Sequence, residues 1–168
     1  MIFKNKKIFG LLFLMGCILP GYLLWLLLRP VEIVAVHEDG NHASVLVNFF
    51  PFTDKGKISW WLEKKAMLKD KYSIPKPDSE GSFTIVFWDF GDGYKEEGKY
   101  DRRCFDDMKA KENCIEKDAV FSVSNSRNLG TIFTVYDGKY QLKENGKVVK
   151  YENKYEAKGL PVGSGDEP

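Results

Sequence analysis

The stretch SFTIVFW, residues 82–88, decides the fold of the larger part of the chain. It is a continuous apolar run of strand length, rich in β-branched and aromatic residues, as is typical of a strand that is buried on both faces. The turn-forming sequence DFGDG follows it directly at residues 89–93. We therefore expect residues 82–88 to form a central strand that ends in a tight turn.

A strand hairpin is predicted upstream of this strand. Residues 31–36 (VEIVAV) alternate like a strand, Asp39-Gly40 is a hairpin turn signal, and residues 43–47 (ASVLV) have the composition of a returning strand. With Asp39-Gly40 as the loop, His37 and His42 would face each other across the hairpin. A zinc site needs three or four ligands, and no third His or Cys is identifiable. We therefore expect these histidines to be packed or solvated, without a metal.

One long helix is predicted between the hairpin and the central strand. Apolar side chains recur at helical spacing on one face from residue 55 to residue 72, and lysines occupy the other face. Thr53 or Asp54 can cap the N-terminus, whereas Gly56 is unfavourable in a first turn. We expect the apolar face to be buried and the lysine-rich face to lie in water.

Most of the remaining chain is predicted to form antiparallel strands. Residues 105–112 are a candidate for a short helix, in which Asp106 and Asp107 would be favoured by the N-terminal dipole. Asn145-Gly146 is the strongest hairpin signal in the chain. The predicted strands are residues 120–123, 131–136, 140–142 and 148–151. The fold class is therefore α+β, a mostly antiparallel β domain with one main α-helix.

The N-terminal region contains an apolar segment, residues 8–28, that we expect to be a transmembrane helix. Its 21 residues carry no charge, and as a helix they would extend about 31 Å, close to the thickness of a bilayer core. Their insertion is favourable by on the order of 4–8 kcal/mol. Three lysines precede the segment and only Arg29 follows it closely. The positive-inside rule therefore predicts a cytoplasmic N-terminus and an external remainder.

A cleaved signal peptide and a lipoprotein signal are the alternatives for this segment. The apolar core of a cleaved signal is shorter, roughly 7–15 residues, and ends at a small-residue cleavage site, whereas this run ends in LLLRP. The sequence LMGC at residues 14–17 resembles a lipoprotein signal, but the chain stays apolar for eleven residues after Cys17. An uncleaved helix that carries a plain thiol at Cys17 is the favoured interpretation.

Composition and charge indicate how the rest of the chain is organised. The chain beyond residue 30 holds all 24 acidic residues and all but four of the 25 basic ones, a net charge of −3. This balance gives no support for a nucleic-acid partner, which would require a basic face. We predict a cytoplasmic N-terminus (1–7), the transmembrane helix (8–28), one α+β domain (29–156) and a disordered Gly/Pro-rich tail (157–168).

Several stretches of the chain resemble a family of enterobacterial inner-membrane proteins of unknown function. They are residues 26–37 (LLLRPVEIVAVH), 51–64 (PFTDKGKISWWLEK), 87–108 (FWDFGDGYKEEGKYDRRCFDDM), 113–117 (NCIEK) and 130–149 (GTIFTVYDGKYQLKENGKVV). The resemblance implies a single-pass protein of the bacterial inner membrane with a small periplasmic domain. It implies no activity, because none is assigned to the family.

Cys104 and Cys114 are the best-supported chemistry in the chain. On the oxidising side of a bacterial inner membrane, two nearby cysteines normally form a disulfide. The bridge would close an eleven-residue loop, and the chain-entropy model gives such a bridge about 3 kcal/mol of stabilisation. A redox-active or metal-binding pair would have the closer Cys-x-x-Cys spacing. We therefore expect a structural disulfide and no cofactor.

Aromatic residues around the start of the helix form a candidate interaction surface. Trp60 and Trp61 are adjacent, so on a helix their side chains point about 100° apart. Trp61 belongs to the apolar face of the predicted helix, which leaves Trp60 free to contact a partner or the lipid headgroups. Phe49 and Phe50 are close in sequence, and we group them with Trp60 as the candidate surface, with core packing as the alternative.

Asp89 and Asp92 form a candidate acidic turn. Together with Glu96 and Glu97 they place several carboxylates around two glycines, an arrangement that suits a cation or acid–base chemistry. The alternating Asp-x-Asp-x-Asp-Gly spacing of a calcium loop is absent. Turns also use Asp and Gly for conformational reasons, so the simplest interpretation is a solvated turn without metal or catalysis.

The sequence favours binding over catalysis. No nucleophile elbow, metalloprotease helix, phosphate loop or dinucleotide fingerprint occurs in it. The first hypothesis is an anchored, non-enzymatic module that binds a protein partner in the envelope, and an immunity-like module is one version of it. The second is an envelope enzyme or glycan-binding protein that uses Asp89 and Asp92. A third is a subunit that packs through small residues of segment 8–28.

Overall fold

The computed structural model of the chain describes residues 16, 18–22, 24–25 and 29–152. The predicted cytoplasmic N-terminus (1–7), most of segment 8–28 and the predicted tail (157–168) lie outside the described residues. The described residues of segment 8–28 are helical. No helix within the described part of the chain has both the length and the apolar character needed to cross a membrane.

The domain is built on a sheet of seven strands, numbered here in chain order. Their spatial order is β1 (Glu32–Asp39), β2 (His42–Asn48), β3 (Phe83–Asp89), β7 (Ala119–Ser126), β8 (Gly130–Val135), β9 (Gly138–Leu142) and β10 (Val148–Tyr151). Neighbouring strands are antiparallel except β2 and β3, which are parallel. The α+β prediction is confirmed. The strands predicted before and after the central strand in the sequence are also present.

Helix α1 (Asp54–Tyr72) connects the two parallel strands and lies on one face of the sheet. Its N-cap is Thr53, whose Oγ1 accepts a hydrogen bond from the Gly56 N–H at 3.1 Å. A Cβ atom at position 56 would lie only 2.8 Å from that Oγ1. Glycine therefore lets the cap close tightly, which explains the residue that looked unfavourable in the sequence.

The main core lies between α1 and the sheet. Ile58, Trp61 and Leu68 of the helix pack against buried residues of β2, β3, β7 and β8. On β3, Ile85 and Phe87 face the helix and are fully buried, whereas the residues that alternate with them are half-buried. The prediction that β3 is buried on both faces therefore holds completely only for the helix side.

A small sheet covers part of the other face. It contains β4 (Lys95–Glu96), β6 (Glu112–Glu116) and β5 (Arg102–Cys104), in that spatial order. It packs on the main sheet through a second core of Leu46, Phe105 and Ile115. The predicted short helix over residues 105–112 is wrong, because β5 and β6 form a hairpin and residues 105–111 are its loop. Because the helix is absent, the prediction that its N-terminal dipole favours Asp106 and Asp107 is also wrong.

The register of the first hairpin differs from the prediction by one residue. Asp39 pairs with His42 and His37 pairs with Ser44, so the loop is Gly40-Asn41. Gly40 has φ +59°, and two-residue hairpin loops favour glycine at the position that needs a positive φ. His37 and His42 therefore do not face each other, and the predicted cross-strand histidine pair is wrong.

Candidate functional site

An apolar groove of about 580 Å³ runs between α1 and the start of β1. Trp60, Lys64 and Met67 line it from the helix, at a spacing that places them on one side of α1. Phe49 and Phe52, from the segment between β2 and α1, also line the groove. We call this feature the aromatic groove. It combines a rigid helical wall with exposed rings and a basic side chain.

The three predicted surface residues occupy different environments. Phe49 is 51% exposed, whereas Phe50 is only 8% exposed and belongs to the main core. Trp60 is half-buried, and its ring lies 5.1 Å from the Phe50 ring and 5.7 Å from the Phe87 ring, measured between centroids. Phe50 is therefore a core residue. Phe52, from the same aromatic segment of the sequence, is 85% exposed and takes its place at the surface.

Arg29 joins the groove to the helical residues that precede the domain. Its guanidinium carbon lies 3.8 Å from the centre of the Trp25 ring and 4.5 Å from the centre of the Phe49 ring. Both distances are within the range of cation–π attraction. The last described turn of segment 8–28 and the aromatic groove are thus in contact through one basic side chain.

The acidic turn does not gather its carboxylates around one point. Asp89 ends β3, and burial, followed by the charge of Asp118, raises the pKa of its carboxyl above the ordinary value. Asp92 is exposed and pairs with Lys95 at 3.3 Å. Within the described residues, no group of three or more His, Cys, Asp or Glu side chains is placed to hold a metal ion.

We predict that Asp89→Asn raises the thermal stability of the protein at neutral pH. A raised carboxyl pKa means that ionised Asp89 opposes folding above its ordinary pKa of 3.8, and that this opposition disappears as the pH falls below that value. Thermal unfolding at several pH values should therefore show a higher Tm for the variant at pH 7 and no difference near pH 3.

Asp92→Asn is the matched control for this prediction. Asp92 lies in the same turn but is exposed and paired with Lys95, so its replacement should give no gain at neutral pH. A lower Tm for Asp89→Asn at pH 7 would mean that the Asp89 carboxylate makes stabilising contacts.

The buried side chain of His37 links the two sheets, through contacts that the sequence, which predicted a pair with His42, did not indicate. His37 Nδ1 lies 2.9 Å from both carboxylate oxygens of Asp107, and Nε2 lies 2.8 Å from the Tyr94 hydroxyl. The imidazole also stacks on Phe105, with 3.8 Å between ring centres. With Nδ1–H donating to the carboxylate, Nε2 accepts from Tyr94 O–H. Burial and then the charge of Asp107 raise the Tyr94 pKa.

The disulfide lies in the same small sheet as these partners of His37. Cys104 and Cys114 are directly opposite on β5 and β6 and are bonded to each other. Beside them, Glu116 accepts hydrogen bonds from Lys95 at 3.0 Å and Arg102 at 3.3 Å. These bonds lower the pKa of the Glu116 carboxyl and raise that of Lys95. The predicted disulfide is present, and its surroundings hold the small sheet together.

Comparison with known proteins places the chain in a family. A family model described as "Enterobacterial putative membrane protein" (DUF943) matches residues 3–152. The match includes segment 8–28 and the whole described domain. Comparison with curated proteins and with solved structures finds no match to this chain. The match covers far more than half of the sequence, and the chain therefore belongs to the DUF943 family of enterobacterial membrane proteins.

Proposed function

We propose that this chain is a single-pass inner-membrane protein whose periplasmic domain binds a protein partner next to the membrane. Membership of a membrane-protein family and the uncharged segment 8–28 support the anchor. The three lysines before that segment support a cytoplasmic N-terminus. The Cys104–Cys114 disulfide agrees with an oxidising compartment for the domain.

The aromatic groove is the observation that carries the binding role. Protein interfaces are enriched in aromatic residues, Met and Arg, and their strongest contacts sit in pockets around such side chains. The groove presents Trp60 and Met67 along one side of a rigid helix, together with Phe49 from the segment before that helix. A helical or extended segment of another protein fits this kind of one-sided apolar cleft. Lys64 at the rim favours a partner segment that carries an acidic residue.

The enzymatic alternative has less support. Catalytic carboxylates of glycan hydrolases flank a cleft at roughly 5–10 Å separation. The Asp92 side chain is 86% exposed and pairs with Lys95, and neither Asp89 nor Asp92 lines the aromatic groove. We therefore retain the binding role as the proposal and do not assign a reaction.

We predict that Met67→Asp lowers partner capture at least about tenfold. The protein, anchored in its native host, would carry a photo-crosslinking residue in place of Glu63, which is exposed and lies one helical turn from both Trp60 and Met67. The crosslinked material would be identified by mass spectrometry. A charge in the apolar wall of the groove should remove at least about 1.4 kcal/mol of binding, a tenfold fall in crosslinked partner. Met67 is 37% exposed, so folding should be unaffected.

Leu129→Asp is the matched control for Met67→Asp. Leu129 is 42% exposed and lies in the turn between β7 and β8, far from the groove in the sheet. Its replacement should leave the crosslinked product unchanged. Equal capture by both variants, with the domain folded, would remove the aromatic groove from the proposed function.

A further inference from the structure

We infer that one end of the domain rests on the bilayer, with the rings of Phe52 and Tyr136 inserted among the lipid headgroups. The inference rests on the membrane anchor proposed above. It concerns the tips of two loops. Phe52 also lines the aromatic groove, but the part of the groove that we assign to a protein partner is its helical wall of Trp60, Lys64 and Met67. The partner that we propose for these two loop tips is the lipid headgroup region.

Strand directions bring these two loops to the end of the sheet that lies next to segment 8–28. The chain enters β1 at Glu32, which pairs with Asn48 at the end of β2, so residues 49–53 lie beside the entry point. The strand order then runs through β3 and β7 to β8. β8 runs in the same direction as β2, because β2 and β3 are parallel and the next two pairings are antiparallel. The turn that holds Tyr136 therefore lies at the same end as Phe52.

The two ends of the sheet differ in character. Phe52 is 85% exposed and Tyr136 is 97% exposed, the two highest values for large apolar or aromatic side chains among the described residues. The opposite end has the loop at residues 40–41, the segment at residues 73–82 and the turns at residues 127–129 and 143–147, and Leu129 is the one exposed large apolar side chain among these described residues. Single exposed apolar residues are ordinary. Here, however, the two most exposed of these side chains among the described residues both lie at the end next to segment 8–28.

The connection to the apolar segment is too short to hold this end far from a membrane. Only residues 29–31 separate Leu28 from β1, and three extended residues span about 10 Å. Arg29 is held between the Trp25 and Phe49 rings, where a guanidinium at the interface can bind a lipid phosphate. Aromatic rings are enriched at this depth of the bilayer. The same end therefore offers both an anchor and interface-seeking side chains.

The charges near these tips indicate that the contact does not depend on anionic lipid. The basic residues Arg29, Lys55 and Lys117 lie at this end, and so do the acidic residues Glu32, Asp54, Asp118 and Asp137. The mixture gives little net attraction to a negative surface. The free energy of the membrane contact then comes mainly from insertion of the rings and not from Coulomb attraction. The contact should therefore be similar in neutral and anionic bilayers.

The test measures the depth of single labels in the full-length protein. In a Cys17→Ser background, an environment-sensitive thiol label is placed by Phe52→Cys, Tyr136→Cys or Leu129→Cys, and the protein is reconstituted into phosphatidylethanolamine vesicles with or without phosphatidylglycerol. Lipids with a quencher on the upper acyl chain should quench labels at positions 52 and 136 about threefold more than the label at position 129. The ratio should be the same in both vesicle types.

Three outcomes would overturn the inference. If the lipid quenchers affect positions 52 and 136 no more than position 129, this end of the domain does not contact the bilayer. If the labels at positions 52 and 136 are shielded from water in native membranes but are not quenched by lipids in vesicles, the tips contact a protein partner. If the labels are shielded only at high protein density, the tips contact a second copy of this chain. Access of a water-soluble quencher to position 129 from each side of the membrane reports the topology separately. A wrong orientation and a wrong lipid contact are therefore distinguishable.

Discussion

Phe87→Ala should cost about 3–5 kcal/mol of unfolding free energy, the range for removal of a buried aromatic ring. Phe87 is fully buried at the centre of the main core. Its ring centre lies 5.3 Å from that of Phe50, 5.5 Å from Phe121, 5.7 Å from Trp60 and 6.1 Å from Trp61. Four rings would border the resulting cavity, and large rings held on α1, on β7 and in the segment after β2 cannot easily collapse into it.

Tyr136→Ala is the matched control, since it also removes a large ring but from a side chain that is 97% exposed. It should change the unfolding free energy by less than about 0.5 kcal/mol. Chemical denaturation of both variants in the same detergent would give the two values. A loss below about 1 kcal/mol for Phe87→Ala would mean that the ring cluster repacks.

The same cluster explains why Trp60 is a poor probe of partner binding. Its ring packs on Phe50 and Phe87, so Trp60→Ala would open part of the core as well as the surface. Loss of partner capture in that variant would combine destabilisation with loss of contact. Met67, at the exposed part of the same helical side, separates the two effects.

The elements that could be predicted are those whose signal is local in the sequence. The spacing of apolar residues in α1, its Thr53 cap and the turn at Asn145-Gly146 each involve residues within a few positions of one another. The order of the strands is a different matter. The parallel pairing of β2 with β3 follows from the crossover through α1, and an alternating pattern does not show which strands become neighbours.

The small sheet was missed because its strands are short and polar. β4 has two residues and β5 has three, and both consist mainly of charged side chains. They are held by the disulfide, by Glu116 with its two basic partners, and by Phe105 and Ile115 beneath them. None of these contacts produces a periodic pattern.

The candidate surface was predicted in part, and one backbone angle accounts for the error. Phe49 has φ +59°, a left-handed conformation that is uncommon outside glycine. The chain therefore turns at Phe49, so that Phe49 points outward and Phe50 points into the core. A sequence with three phenylalanines around a proline does not indicate which ring remains outside.

His37 could not be identified as a site because its partners are distant in the chain. Tyr94 and Asp107 are separated from it by 57 and 70 residues. The sequence contains one relevant signal, the alternation of residues in β1. It places His37 on the same face of the strand as Ala35 and on the opposite face from Val36. A histidine in such a position needs partners once a second layer covers that face.

Removal of the disulfide by the double substitution Cys104→Ala and Cys114→Ala should lower the unfolding free energy by about 3 kcal/mol in the chain-entropy model. The bridge joins directly opposite residues of β5 and β6, and Cys114 is fully buried. Replacing both residues avoids a free thiol in that buried position. The loss should begin in the small sheet, because β4 and β5 have few other contacts.

Hydrogen exchange distinguishes local loosening from global unfolding in this variant. Amides of β5 and β6 should exchange faster, while those of β3 and β7 should change only by the global loss, since Phe87 and Phe121 of the main core are untouched. Cys17→Ala is the control and should change neither. Uniform acceleration across all strands would show that the small sheet and the main sheet unfold as one unit. The His37 contacts with Asp107 and Tyr94, which survive the substitution, would then be the link that couples them.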